Sequence, residues 1–452
     1  MEGTTKKWED MTWQEKREER FKRWLNPRNV KFKDAEAERR YKTRVARFIK
    51  AIKMEEPDRV PCILPVTYYP ATHIGVSYRT IMYDYSELRR AWLTFMKDFP
   101  EMDECGGPGF VMSGRVMDAI DSKTQKWPGH GLPDDAWYSQ FVEGEYMKAD
   151  EYDDVMKDPT GYSLRVSLPR TSGLFKPFER MMTGGAMGMG MGMGGLSWVA
   201  MMTDPEMRNV FQTLMDVSDD YTEWRNTVAD ISRIILSEGF PGIHGGMSVA
   251  PFDALADGLR GTHGMAMDMY RQPEKMLEYV EYITPQLIEG TIRMSAMSDS
   301  PIIGMPLHKG DDTFMSDAQF EKFYWPSFKK VLLAYIEEGL VPFPFAEGKY
   351  NLRLKFIADM PKSGVVWYFD QTDMKEAKRI LGNTSCIVGN LPSSIVITGT
   401  PQEVKEGCRR LIEDCAPGGG YILSGGASAD NGNAANLHAM LAAAEEYGYY
   451  KQ

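Results

Sequence analysis

The stretch GVVWYFDQTDMKEAKRILGNTSCIVGN, residues 364–390, decides the fold. It opens on a short run of strand character, GVVWYF, and closes on another, CIVGN. Between them MKEAKRIL has the apolar spacing of one helix face. Strand, helix and strand at this spacing mean a parallel pair with its crossover helix outside. The pattern recurs around it. PIIGMPL (301–307), LVPFPF (340–345) and GYILSG (420–425) are further short strands, each followed by a helical pattern or a helix start. In a chain of 452 residues this alternation predicts an α/β fold, a (β/α)₈ TIM barrel. Its active site is expected where the strands end, on the loops leading into helices.

The helices carry their own start signals. Ser316 stands as N-cap with Gln319 three residues on, a capping box. The helix after it sets Phe320, Phe323, Phe328, Val331, Leu332 and Tyr335 on one face. Thr400, Pro401 and Glu403 repeat the device. Cys408 and Cys415 then share a face with Val404 and Leu411, as core thiols do. Upstream, helices are expected near 86–98, 204–237 and 273–297. Residues 8–54 read as two charged helices broken near LNPRN, and PDRVPCILPV (57–66) as a turn and a short strand. The expected organisation is a helical N-terminal extension over 1–54 and the barrel over 55–452.

Composition narrows the partners. The net charge is −11, yet residues 1–60 hold 18 Lys and Arg against 12 Asp and Glu, leaving an acidic body. That balance disfavours nucleic acid. The basic segment reads as a solvated helical arm or, alternatively, as a contact for an acidic protein. No run of eighteen apolar residues occurs, so no membrane span is expected, and the first residues lack the apolar core of a signal peptide. Five cysteines without a CxxC pair suit a reducing cytoplasm.

TGGAMGMGMGMGGLSW, residues 183–198, lacks both a strand before its glycines and a Lys-Ser/Thr ending, so it is a poor phosphate loop. Met alternating with Gly is unlike a plain linker. Two readings stay open: a movable apolar lip, or an inner loop whose methionines fill gaps.

The strand ends supply the candidate chemistry. His308, Lys309, Asp311 and Asp312 follow one strand, Glu347 the next, then Asp370 and Asn390. Cys386 lies four residues before Asn390, on the same face but deeper. Acids at these positions either cap the following helices or converge on a mouth that binds a divalent cation. Capping is the expectation for Asp370 and Asp317; function is the expectation for His308 and Glu347, which precede no obvious helix start. His73, His130, His244 and His263 stand in glycine-flanked settings, with His244 and His263 the better candidates of the four. His438 reads as structural. No HExxH or GxSxG motif occurs.

Four stretches carry a family resemblance: EEPDRVPCILPV (55–66), FMSDAQFEKFYWPSFKKVL (314–332), FDQTDMKEAKRILGNTSCIVGNLPSSIVITGTPQEV (369–404) and GGGYILSGGASADNGNAANLHAM (418–440). They resemble the uroporphyrinogen decarboxylase superfamily, which also holds cobalamin-dependent methyltransferases. The resemblance implies the barrel but does not settle function. The decarboxylases grip tetrapyrrole propionates with arginines after the first strand. Here that place reads PVTYYPATHIGVSYRT, with Tyr68 and Tyr69 and no arginine before Arg79. The thiol-methylating members carry His-x-Cys and a further Cys where this chain has Phe345, Glu347 and Ala427.

Carboxylate and imidazole ligands leave zinc harder and more acidic towards oxygen than thiolates do. The resemblance therefore implies a corrinoid-dependent O-demethylase component. It would move methyl from an aryl methyl ether to the Co(I) corrinoid of a partner protein. The alternatives are a decarboxylase of a small aromatic or pyrrolic acid, and a non-catalytic corrinoid- or tetrapyrrole-binding barrel. On this reading Glu347, His308, Asp312 and Asn390 are catalytic. Zinc is held by His308 and Glu347, with Cys386 or an acid of the Asp311–Asp312 pair completing the set; His308, Glu347 and Cys386 are spaced 39 residues apart. Glu347 is alternatively a metal-free general acid. Met187, Met189, Met191, Met193 and Trp198 meet the corrinoid, and Trp198, Trp367 and Tyr368 suit an aromatic substrate. A homodimer is a further expectation from the family.

Overall fold

Strands are numbered along the chain. In the computed structural model, which describes residues 6–181 and 194–450, β1 (Gln125–Pro128), β2 (Gly131–Leu132) and β3 (Gln140–Phe141) form a small separate sheet. The main sheet holds six strands in sequence order, all parallel: β4 (His244–Met247), β5 (Ile302–Leu307), β6 (Val341–Ala346), β7 (Val366–Phe369), β8 (Cys386–Val388) and β9 (Tyr421–Ile422). Two extended segments close the ring. Ile63 N donates to Leu423 O and Leu423 N to Pro61 O, each at 2.9 Å, seating residues 61–63 beside β9. Cys105 N donates to Pro241 O at 3.2 Å, and Cys62 N donates to the Asp103 carboxylate at 2.8 Å. The result is the (β/α)₈ barrel. Its first segment forms no regular strand because Pro61 and Pro65 have no N–H to give to a ladder.

The strands expected in the second half all form, within three residues of their expected limits. Nearly every residue of β5 and β6 is buried on both faces, as parallel strands under an outer helical layer are. Both capping boxes form, and the Phe320–Tyr335 face is buried throughout. The upstream helices run Tyr85–Asp98, Pro205–Ser237 and Pro273–Ser295. All five cysteines are free and buried. No helix among the described residues is long and apolar enough to cross a membrane.

The N-terminal segment departs from its reading as a solvated arm. Helices Trp13–Leu25 and Ala35–Ile52 bury Phe21, Trp24, Tyr41, Val45, Phe48 and Ile52 against the barrel's lowest inward layer. That layer is Ile63, Ile243, Ile302, Val341, Val366, Cys386 and Ile422. Arg17 is buried and donates to the carbonyls of Leu340, Ser363 and Gly364; burial lowers its pKa to about 9. Arg44 donates to Gly239 O at 2.7 Å and Pro100 O at 2.6 Å. Many of the charges that read as solvated instead satisfy carbonyls at the bottom of the barrel. The two helices are its stopper.

The small sheet belongs to a long excursion between the second and third barrel segments, and the sequence reading placed no strands there. Its tail docks over the mouth. Glu143 pairs with Lys309 and accepts from Thr262 N at 3.1 Å, and Glu145 pairs with Arg260 at 2.6 Å. The methionines at 187, 189, 191 and 193, named above as corrinoid contacts, lie outside the described residues.

Candidate active site

Alternation along the strands sorts the candidates by depth. Cys386 opens β8 and Val388 is the next inward position, whereas Asn390 lies past the end of the strand at the mouth. Cys386 sits in the buried bottom layer, where burial lifts its thiol to about 12. It is not at the mouth and joins no ligand set with His308 and Glu347. The four-donor zinc site is corrected accordingly: among the described residues no group of three or more His, Cys, Asp or Glu is arranged to hold a metal ion.

Asp311 and one oxygen of Asp312 are occupied by their loops, while Asp312 Oδ1 is buried without a hydrogen bond. Asp311 accepts from Phe314 N at 3.0 Å and Thr313 Oγ1 at 2.5 Å. Asp312 accepts from Leu352 N at 3.1 Å and lies 3.7 Å from the buried Arg353 guanidinium. Asn390 donates to Thr372 O at 2.6 Å, tying the end of β8 to the loop after β7. These three stabilise the rim. Trp367 faces outward into the core, fully buried, while its neighbour Tyr368 points inward, as pleating requires. Trp198 lies exposed on helix Gly194–Met201 and is no wall of the mouth.

His308 and Glu347 do meet. His308 Nε2 stands 3.8 Å from Glu347 Oε2, and its Nδ1 donates to Asp257 at 2.5 Å. The Asp257 bond raises the imidazole pKa, with Glu347 and Asp253 adding to it. Glu347, half-exposed at the rim, is itself pushed up by partial loss of hydration and by Asp370, against the pull of His308. Asp370 caps no helix; Asp373 does, accepting from Glu376 N at 3.0 Å, while Asp370 accepts from Gly348 N at 3.1 Å beside Glu347. Asp317 is likewise not a cap: Ser316 has that role, and Asp317 pairs with Arg353 and Lys355.

Asp253 holds the backbone of this rim from below. It accepts from His308 N and Lys309 N, both at 3.1 Å, and from Tyr324 Oη at 2.7 Å. Burial and the neighbouring Asp257 lift it to about 7. Asp257 sits on a single π-helical turn, Ala256–Arg260, a feature common at functional sites. Neither acid was visible in the sequence as a strand-end group, because both lie inside a helical run.

Under the rim is a cavity of about 310 Å³, walled by Trp92, Phe95, Phe343, Phe345 and Tyr368 together with Glu104 and His244. His244, one of the better histidine candidates, packs edge-on to Phe343 at 5.4 Å and lines the cavity while remaining exposed on its open side. Gly304 makes room for it. A Cβ there would lie 3.0 Å from His244 Nδ1 and 2.6 Å from Met247 Sδ. Gly304→Ala is therefore expected to push both side chains into the cavity. Ligand affinity should fall several-fold while stability changes by less than about 3 kcal/mol, measured by titration and denaturation.

Glu104 went unnoticed in the sequence, although MDECGG is an acid at the end of an extended segment, the signal used downstream. Its neighbour Asp103 is fully buried between Arg59 (2.6 Å) and Arg47 (2.7 Å), which fixes the segment. Burial and Asp103 raise Glu104 to about 7. A carboxyl raised in the folded state binds its proton more tightly there, so it costs stability as pH rises from 4.5 through 7. Glu104→Gln is expected to remove this cost, raising stability at pH 8 by ~1–3 kcal/mol and leaving pH 4 unchanged. Melts at the two pH values check it.

Three of the other histidines have structural partners. His73 pairs with Asp98 at 2.8 Å, His130 with Asp118 at 2.9 Å, and His438 stacks on Phe99 at 4.3 Å; His263 is exposed on a helix. Arg79 donates to Pro128 O at 3.0 Å and is no wall of the cavity.

Comparison with known proteins accords with this architecture. A methyltransferase from Methanosarcina mazei superimposes with a TM-score of 0.56 at 14% identity, covering 89% of this chain and 98% of that one. A uroporphyrinogen decarboxylase of Syntrophotalea carbinolica is 24% identical over 185 residues, 40% of this chain. The match spans 52%, about half, of that relative's length. The family model described as uroporphyrinogen decarboxylase matches residues 175–447, which takes in β4 to β9 and the whole His308–Glu347 rim. On that match, covering more than half its length, the chain belongs to the uroporphyrinogen decarboxylase family.

Proposed function

We propose that this chain is a methyltransferase that removes the methyl group of an aryl methyl ether and passes it to the Co(I) corrinoid of a partner protein. The observation that carries the reading is the pairing of a compact aromatic cavity with a hydrogen-bonded histidine–carboxylate rim at its mouth. The cavity lies at the small end of ligand pockets (~300–1,000 Å³), so it takes one aromatic ring more readily than a tetrapyrrole. Among the described residues no arginine or lysine lines it to grip propionates. The fold likeness to a protein described as a methyltransferase supports the same direction.

In this mechanism the ring packs against the wall formed by Phe343, Phe345 and Tyr368 with its ether oxygen at the mouth. The corrinoid, when docked, supplies the nucleophile for the methyl group. Phe110, 59% exposed at the cavity edge, and Met247, 44% exposed, are apolar groups on which a flat macrocycle would rest. The O–CH₃ bond breaks with its electron pair left on oxygen. Glu347 gives its proton to that oxygen and is resupplied from His308, whose orientation Asp257 holds. A zinc ion would find His308 Nε2 and Glu347 as its convergent donors, with Asp257 on the other ring nitrogen. Two donors are not a four-ligand set, so no step runs through zinc.

The test is incubation of the protein with a reduced corrinoid protein and a panel of methoxyarenes, following cobalt absorbance. Appearance of the methylated corrinoid with release of the phenol is the expected result. No change across the panel removes the proposal, and CO₂ release from small aromatic acids would replace it with a decarboxylase.

A further inference from the structure

The cavity's polar groups bear on which rings it accepts. Glu104 and His244 stand among aromatic walls, and among the described residues no hydrogen bond or ion pair reaches either side-chain head. The cations near this wall are spent elsewhere: Arg59 on Asp103 and Glu445, Arg47 on Asp103 and Asp58. The rim cation Lys309 is paired with Glu143 and, at 3.3 Å, with Asp257. A hydroxyl entering the cavity meets two free acceptors. An anion entering it meets a carboxyl, a neutral imidazole and no counter-ion.

We infer that Glu104 and His244 make this cavity selective for uncharged, hydroxylated one-ring aromatics over rings that carry a carboxylate. The methoxy group of the ligand rests on the methyl-transfer reading above; the preference for neutral rings does not. A ring hydroxyl donates to Glu104 or to the unprotonated nitrogen of His244, whose heads face the cavity and are engaged by no protein group among the described residues. A ring carboxylate would give up its water for nothing of opposite charge.

Calorimetric titration of the protein alone, without corrinoid protein, decides it. The probes are 2-methoxyphenol, 4-hydroxy-3-methoxybenzoate, and the methoxy-free pair phenol and 4-hydroxybenzoate, all at pH 8. The neutral member of each pair is expected to bind at least about tenfold more tightly. Glu104→Gln should narrow that gap, and Glu104→Lys should close or reverse it. Equal or tighter binding of the carboxylates by the unmodified protein overturns the inference, as does binding of neither member. A gap unchanged in both folded variants overturns the role of Glu104. The two proposals fail separately. Neutral preference without any methyl transfer sinks only the functional reading; equal turnover of both methoxyarenes sinks only the selectivity.

Discussion

Glu347→Gln is expected to lower kcat/KM for methyl transfer by about 10²–10⁴-fold while leaving 2-methoxyphenol affinity and melting temperature near those of the unmodified protein. The amide keeps the shape of the side chain but has no proton to give, so the loss falls on kcat. His308→Ala should cost a similar factor, and the double variant little more, because the two act on one proton. The pH profile carries the same signature. Partial loss of hydration and Asp370 hold the Glu347 carboxyl above the usual carboxylate range, and an acid must be protonated to act. Activity should therefore decline as pH rises through that elevated pKa, and Glu347→Gln should abolish this limb. A Glu347→Gln enzyme with unchanged kcat would leave the rim without its role as proton donor.

Removing the stopper should have the largest effect on stability. Phe48 is 1% exposed, stacked at 6.2 Å on Trp24, and packed on the lowest layer of the barrel. Phe48→Ala is expected to cost ~3–5 kcal/mol, the range for emptying a buried aromatic site. Lys50→Ala, exposed two residues away, should stay within about 0.5 kcal/mol. Chemical denaturation of the two variants measures the contrast. A Phe48→Ala change as small as that of Lys50→Ala would mean that the helices do not seal the barrel.

The candidate site was legible where the code is local. A single β/α unit writes its strand, cap and helix consecutively, so the residues following each strand could be named, and His308 and Glu347 came from that rule alone. Position along the strand does not say which loop group is already satisfied. Asp311, Asp312 and Asn390 are taken by backbone and loop partners up to forty residues away, and only the assembled rim shows it. Equal spacing between His308, Glu347 and Cys386 likewise says nothing about depth, and Cys386 lies at the other end of the barrel.

By itself the sequence determined the parallel alternation, the capped helices, and the acids and histidine at the strand ends. These rest on periodicity and on contacts within a few residues, which any local stretch carries whole. Tertiary structure alone decided that the charged N-terminal helices close the barrel, that Asp257 and Asp253 hold His308, and that Glu104 and His244 share one cavity. Each of those depends on groups distant in the chain, whose solvation and partners do not exist until the ring has closed.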